Sequence, residues 1–201
     1  MSEIITSYKT IVKPSTSYFR DRGSKFYGFA YPFNHPDELK ELLEPLKKDH
    51  PKAVHHCYAY RIGVDGLEFR ANDDGEPSGS AGAPILGQID SMELTNVIVI
   101  VVRYFGGTLL GVPGLINAYR ETTALALEEA NIEEKIIEHF VTLQFDYPLM
   151  NEVMQVIKQH DVRVINQDFQ LDCKVDIAIP LLIKETVMEK LETMHLLQII
   201  E

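Results

Sequence analysis

Arg103-Tyr104-Phe105-Gly106-Gly107-Thr108-Leu109-Leu110-Gly111-Val112-Pro113-Gly114-Leu115-Ile116-Asn117-Ala118-Tyr119 is the stretch on which the fold turns. Immediately before it runs Val97-Ile98-Val99-Ile100-Val101-Val102, an unbroken β-branched series. Such a series has no polar face to offer to water, so it predicts a strand covered on both sides. Behind it, Leu115, Ala118, Tyr119, Thr122 and Ala126 fall on one helical stripe, which predicts a helix running to about residue 130. Gly106, Gly107, Gly111 and Gly114 punctuate the junction. Without a Cβ, glycine lets a backbone turn sharply or another group come close. Pro113 suits the first turn of a helix, where a missing N–H is no loss. Strand, glycine loop and helix N-terminus together form a place where free N–H groups meet an anion or a partner's backbone.

Outward from this centre, the chain of 201 residues has room for one large domain or two small ones. Hydrophobic residues make up 45% and charged residues 24%, a balance that packs a core and excludes global disorder. Cys57 and Cys173 lie far apart with no C-x-x-C spacing, which predicts reduced thiols. The first residues carry no basic-then-apolar leader, and no run approaches the ~20 apolar residues of a membrane span. The expected location is therefore cytoplasmic, with no membrane partner. The formal net charge is −11. Residues 1–133 carry 13 Lys+Arg against 18 Asp+Glu, and residues 134–201 carry 6 against 12, so neither half is basic. Nonspecific nucleic-acid binding needs cations to neutralise phosphates. Here only a local patch can supply them, from Arg61, Arg70, Arg103 and Arg120.

The remaining elements follow in order. Residues 7–13 and 25–33 read as strands, joined by a polar connection over 15–23. A helix is expected over 37–48, opened by Pro36 and kinked or ended early by Pro45. Residues 53–62 and 67–70 form a hairpin about the turn 63–66. The segment 72–82 is small, acidic and rich in turn formers. A helix over 81–92 follows it. From Glu138 the pattern starts afresh, with strands over 139–147, 162–170, 171–179 and 196–200. Asp172 is expected in the tight turn between the middle two. Pro148 and Pro180 each follow a strand and open an amphipathic helix, which gives two βαβ units in tandem. That is the βαββαβ order of a ferredoxin-like domain. The predicted class is α+β, with domains at 1–133 and 136–201.

Several residues carry candidate chemistry. The glycine loop can cradle a phosphate with its N–H groups and Arg103, or its glycines can simply let strand and helix pack. It is neither a Walker motif nor a dinucleotide fingerprint, since Gly-Lys-Ser/Thr and G-x-G-x-x-G are both absent. Asp73, Asp74 and Glu76 can hold a divalent metal or act as acid and base. Their plainer role is a turn leading into a helix capped by Ser78 or Ser80, with the carboxylates favoured near its N-terminus or paired with Arg103. His55 and His56 point to opposite faces of a strand, so they do not form a ligand pair. Cys57 reads as a small core residue. Tyr18, Phe19, Tyr104 and Tyr119 can stack on bases or fill the core, and Tyr104 is the best placed for a surface role.

Three stretches in order, His55-His56-Cys57-Tyr58-Ala59-Tyr60, then the segment from Asp73 through Gly82, then Arg103-Tyr104-Phe105-Gly106-Gly107 with its continuation to Tyr119, resemble the bacterial YigZ branch of the IMPACT family. The resemblance is dense over about residues 50–120, and the domain order extends it to the whole chain. It implies an N-terminal domain of the ribosomal S5 domain 2-like fold. It also implies a ferredoxin-like C-terminal domain similar to domain V of elongation factor G. It implies a noncatalytic binding and regulatory role near translation, with RNA, the ribosome or a ribosome-bound protein as partner. Some members carry a further N-terminal domain and restrain a translation-control kinase, an activity not expected here. Ala83 and Asn117 stand where many relatives are basic, and the two lost positive charges weaken phosphate contact; Pro113 stands where glycine is usual. The expected binding surface is Asp73, Asp74, Glu76, Ser78, Arg103, Tyr104, Gly106, Gly107 and Gly111, with no catalytic residue, metal or cofactor. No sequence-specific DNA binding is expected. The alternative is a small hydrolase or metal-dependent enzyme on Asp73, Asp74 and Glu76.

Overall fold

In a computed structural model of the chain, which describes residues 4–169 and 172–200, Val97–Tyr104 (β6) is the middle strand of a five-stranded sheet. The others are Ser15–Asp21 (β2), Ser24–Pro32 (β3), His55–Ile62 (β4) and Glu68–Asn72 (β5). Their order is β2-β3-β6-β4-β5, antiparallel at every pairing. The β-branched run of β6 is fully buried because helices cover both faces of this sheet. Val97, Val99 and Val101 pack with Gly82–Ser91 (α2) and Gly111–Glu128 (α3). Ile98 and Ile100 lie on the other face with Phe33, Tyr58 and Tyr60, under Leu39–Asp49 (α1).

The segment expected as a polar connection is β2, an edge strand. Its polarity has a use in the fold. Ser15 Oγ donates to the Ala126 carbonyl at 2.6 Å and Ser17 Oγ to the Thr122 carbonyl at 2.7 Å, tying the strand to α3. The expected first strand is Ser7–Ile11 (β1), and it forms a two-stranded sheet with Ile132–Ile136 (β7). The charged, exposed sequence of β7 carries no strand pattern of its own, and only its pairing with β1 makes it a strand. Pro45 sits inside α1 without ending it; the helix runs on to Asp49 after a 3-10 turn over Pro36–Glu38.

The chain divides into two compact units, residues 8–135 and residues 136–200 together with 4–7. The second contains Glu138–Asp146 (β8), Met150–Gln159 (α4), Arg163–Phe169 (β9), Asp172–Pro180 (β10), Lys184–Glu192 (α5) and Gln198–Ile200 (β11). Its sheet order is β11-β8-β10-β9, antiparallel throughout. Val141, Leu143, Phe145, Val175 and Ile177 alternate onto the face covered by Val153, Val156 and Ile157 of α4 and Val187 and Leu191 of α5. Asp172 is not in a turn: it opens β10, paired with Asp146. The turn expected around residues 170–171 lies outside the described residues. Among the described residues no helix is long and apolar enough to cross a membrane.

Candidate functional site

Register builds the site. Arg103, near the end of β6, lies between Phe26 of β3 and His55 of β4. Its guanidinium carbon is 5.6 Å from the Phe26 ring centre and 5.8 Å from that of Phe105. The segment after β5 folds back across it. Asp74 (φ 42°) and Gly75 (φ 87°) take the left-handed conformations that reverse the chain. Glu76 thereby enters the interior, where its Oε1 accepts from Arg103 Nη1 at 2.5 Å and from the Tyr119 hydroxyl at 2.8 Å. Its other oxygen lies 3.9 Å from His55 Nε2. Cys57 Sγ lies 3.3 Å from the Tyr119 oxygen and 3.0 Å from the Asp73 carbonyl. Burial pushes the Cys57 thiol and the Tyr119 phenol far up, so both stay protonated. Arg103 is therefore a buried partner of Glu76, not of Asp73 or Asp74.

The neighbouring carboxylates have other occupations. Asp73 Oδ1 accepts from the N–H groups of Ala81 and Gly82 at 3.0 and 2.8 Å, and Oδ2 from Gly79 at 2.9 Å. The expected serine cap is thus replaced: Ser78 is exposed, Ser80 Oγ donates to the Pro77 carbonyl, and Asp73 closes the start of α2 from a distance. Asp74 Oδ2 accepts from the His56 N–H at 2.6 Å. Among the described residues no three His, Cys, Asp or Glu side chains come together as a ligand set.

Asp73 gives the first expected outcome. Burial pushes its pKa up, but the three N–H bonds together outweigh that and hold its carboxyl below the usual carboxylate range. A carboxyl depressed in the folded state stabilises above its unfolded value and loses that contribution as pH falls through the folded one. Asp73→Asn is expected to lower unfolding free energy by about 1 kcal/mol at pH 7. The gap from the parent protein should shrink as pH falls from about 4, where the unfolded state takes up the proton, through the lower folded-state value, below which both states bind it. Denaturant titrations at the two pH values check it; an equal gap at both would remove the charge from the explanation.

The glycine loop follows β6. Gly106 is the close-packing glycine, since a Cβ there would lie 1.9 Å from the carbonyl carbon of Gly23 and 2.1 Å from the Ser24 nitrogen. Its N–H donates to Ser24 Oγ at 3.1 Å. Gly107 has φ 87° but open space around it, so a side chain there would meet backbone strain and no clash. Gly111 (φ 72°) begins α3. Tyr104 alternates to the other face of the sheet, where its hydroxyl meets His50 Nδ1 at 2.8 Å. Of the expected aromatic stackers, Tyr119 is buried and Tyr18 is exposed.

Arg103, Glu76 and His55 form the floor of a cleft of about 390 Å³. Its walls are apolar: Val54, Phe105, Leu109, Leu110, Val112 and Leu115. Leu109 is 82% exposed and Phe105 48%, an unusual display for large side chains. Arg103 is the only arginine or lysine among the described lining residues, and Glu76 neutralises it. The rim and the Tyr119 hub have weak sequence signals. Leu109 looks like part of a loop, and Tyr119 looks like any residue on a buried helical stripe.

The model of the Impact N-terminal domain matches residues 22–127. A Haemophilus influenzae protein named as an IMPACT family member is 34% identical over 145 residues, 71% of this chain and 70% of that protein. The Escherichia coli IMPACT family member YigZ is 35% identical over 146 residues, 72% of each. A crystal structure described as that of a hypothetical protein superposes with a TM-score of 0.69 at 29% sequence identity, covering 98% of both chains.

Proposed function

This chain belongs to the IMPACT family, and from that membership and the geometry of the cleft we propose that it is a noncatalytic binding and regulatory protein associated with translation. We read residues 1–133 as an S5 domain 2-like fold, residues 136–201 as a ferredoxin-like fold, and the location as cytoplasmic. The partner meets the glycine loop and is a ribosome-bound protein in preference to bare RNA. One observation carries this choice: the cleft has an exposed apolar rim above a cation already paired in the interior. A phosphate finds no uncommitted arginine or lysine among its described lining residues. An apolar side chain of a partner finds Phe105, Leu109 and Val112.

The test is capture from cell lysate, with and without nuclease, by the parent chain and by Leu109→Asp. Leu109 is exposed, so this change should leave stability within about 0.5 kcal/mol. We expect translation-associated proteins to be captured by the parent after nuclease treatment and to be at least about tenfold depleted with Leu109→Asp. Capture that vanishes with nuclease, or that ignores Leu109→Asp, would defeat the protein-partner reading.

The hydrolase or metal-dependent alternative has weaker support. Asp73 is engaged by three N–H groups, Asp74 by the His56 N–H and Glu76 by Arg103 and Tyr119. These contacts give each carboxylate a separate structural partner, and among the described residues no three His, Cys, Asp or Glu side chains converge on one ligand position. The Cys57 thiol, held protonated by burial, makes no nucleophile.

The domain reading has its own check. The C-terminal core is built from residues within 141–199. A fragment of residues 136–201 is expected to unfold in one cooperative thermal transition. A fragment that binds hydrophobic dye and melts without a transition would move the boundary.

A further inference from the structure

The second unit leaves one face of its sheet without a helix. Strand alternation puts Phe140, Thr142 and Gln144 of β8 opposite to the buried Val141, Leu143 and Phe145. The register carries this face across the sheet: Ile200 of β11 pairs with Thr142, Thr142 with Asp176 of β10, and Asp176 with Asn166 of β9. At ~4.8 Å per strand, that row spans about 14 Å. A register shift beside Asp176 leaves Ile165 as an extra residue in β9. Phe140, Ile165 and Ile200 are 58%, 49% and 48% exposed. With Thr142 and Asp176 they line a depression of about 380 Å³.

Charge on this face is one-sided. By the same alternation it carries Glu138, Asp146, Asp168, Asp172 and Asp176 against Arg163 and Lys174. Arg163 is already paired with Glu138, its Nε 3.1 Å from Oε1. Asp176 sits centrally, accepting from Thr142 Oγ1 at 2.7 Å and, weakly, from Asn166 Nδ2 at 3.4 Å. Those bonds orient the carboxylate without neutralising it, and among the described residues no cation pairs with it. A polyanion such as RNA is repelled here. A lysine or arginine flanked by apolar side chains matches both the central carboxylate and the apolar surround.

We propose that the uncovered face of the β11-β8-β10-β9 sheet docks a basic, amphipathic segment of a protein partner. In that complex a lysine or arginine sits on Asp176, and apolar neighbours cover Phe140, Ile165 and Ile200. This surface is separate from the apolar cleft of the other unit and does not depend on the reading given to that cleft.

The test uses the full chain and a synthetic amphipathic helix of leucine and arginine carrying a fluorophore. Anisotropy measures affinity, and backbone amide shifts locate the contact. Asp176→Asn, which retains an acceptor for Thr142, and Phe140→Ser are each expected to weaken binding by about tenfold. Glu189→Gln removes the same charge from an exposed position on α5 and should change affinity less than about twofold. Shifts should centre on residues 140–144, 165–166 and 174–178. Equal effects of Asp176→Asn and Glu189→Gln would reduce the attraction to net charge and overturn the proposal. So would shifts mapping elsewhere, or equal binding of a leucine–glutamate peptide. Sedimentation that shows a dimer of the parent chain dissociated by Phe140→Ser would reassign the face to a second copy of this chain, and would likewise overturn it.

Discussion

Gly106→Ala is expected to be the most damaging single-methyl change in the glycine loop, costing more than the about 3 kcal/mol that marks the upper end of ordinary overpacking. The added carbon would lie 1.9 Å from Gly23 C, 2.1 Å from Ser24 N and 2.4 Å from Gly23 O, all backbone atoms of the turn between β2 and β3. A flexible side chain can swing aside, but a backbone turn held by strand pairing on both sides cannot. Gly107→Ala makes the matched control. Its φ of 87° is strained for an L residue, yet nothing lies within 4 Å of the new carbon. It should cost about 1–2 kcal/mol. Denaturant midpoints of the two variants beside the parent decide the matter. Equal losses would show that the loop is not pinned against the β2–β3 turn.

Arg103→Ala is expected to lose about 3–5 kcal/mol, because it strands the Glu76 carboxylate in the interior with the Tyr119 hydroxyl as its hydrogen-bond donor and the His55 ring 3.9 Å away. The magnitude belongs to the broken pair, not to the intact one. Removing both charges with Arg103→Met and Glu76→Gln keeps an acceptor for Tyr119 and should restore at least half of the loss. A double-mutant cycle then reads the coupling. Additive losses would mean that Arg103 stabilises mainly by stacking between Phe26 and Phe105. In the folded fraction of Arg103→Ala, partner capture should fall much less than with Leu109→Asp. The arginine sets the floor of the cleft, and the leucine makes the contact.

Parts of this molecule were legible in the sequence because they follow from composition along one segment. The β6 run has one stable solution, burial on both faces, and the stripe from Leu115 to Ala126 has one helical face. The tandem strand–helix pattern after Glu138 is likewise local. The misread pieces depend on partners far away in the chain. β2 looks like a loop because its serines are polar, and they are polar because they bond to carbonyls more than 100 residues away. β7 is a strand only by virtue of β1. At the site, the pairing of arginine with an acidic residue was readable in kind. Its identity was not, since the left-handed turn at Asp74 and Gly75 decides which carboxylate goes inside. Asp73 shows the same rule from the other side: a cap is sought one residue before a helix, and here it comes from eight residues before Ala81. Spacing reveals faces of single elements, while loop closure selects among similar side chains.

Cys57 and Cys173 are both free, fully shielded from solvent, and lodged in different compact units. A thiol reagent reaches either sulfur only when the surrounding core opens. The chain thus carries an internal clock in each half. Mass spectrometry of timed alkylation, resolved by peptide, would report the opening frequency of one unit at Cys57 and of the other at Cys173. Whether the halves breathe together or separately can be learned from the unaltered protein, with no label engineered into it.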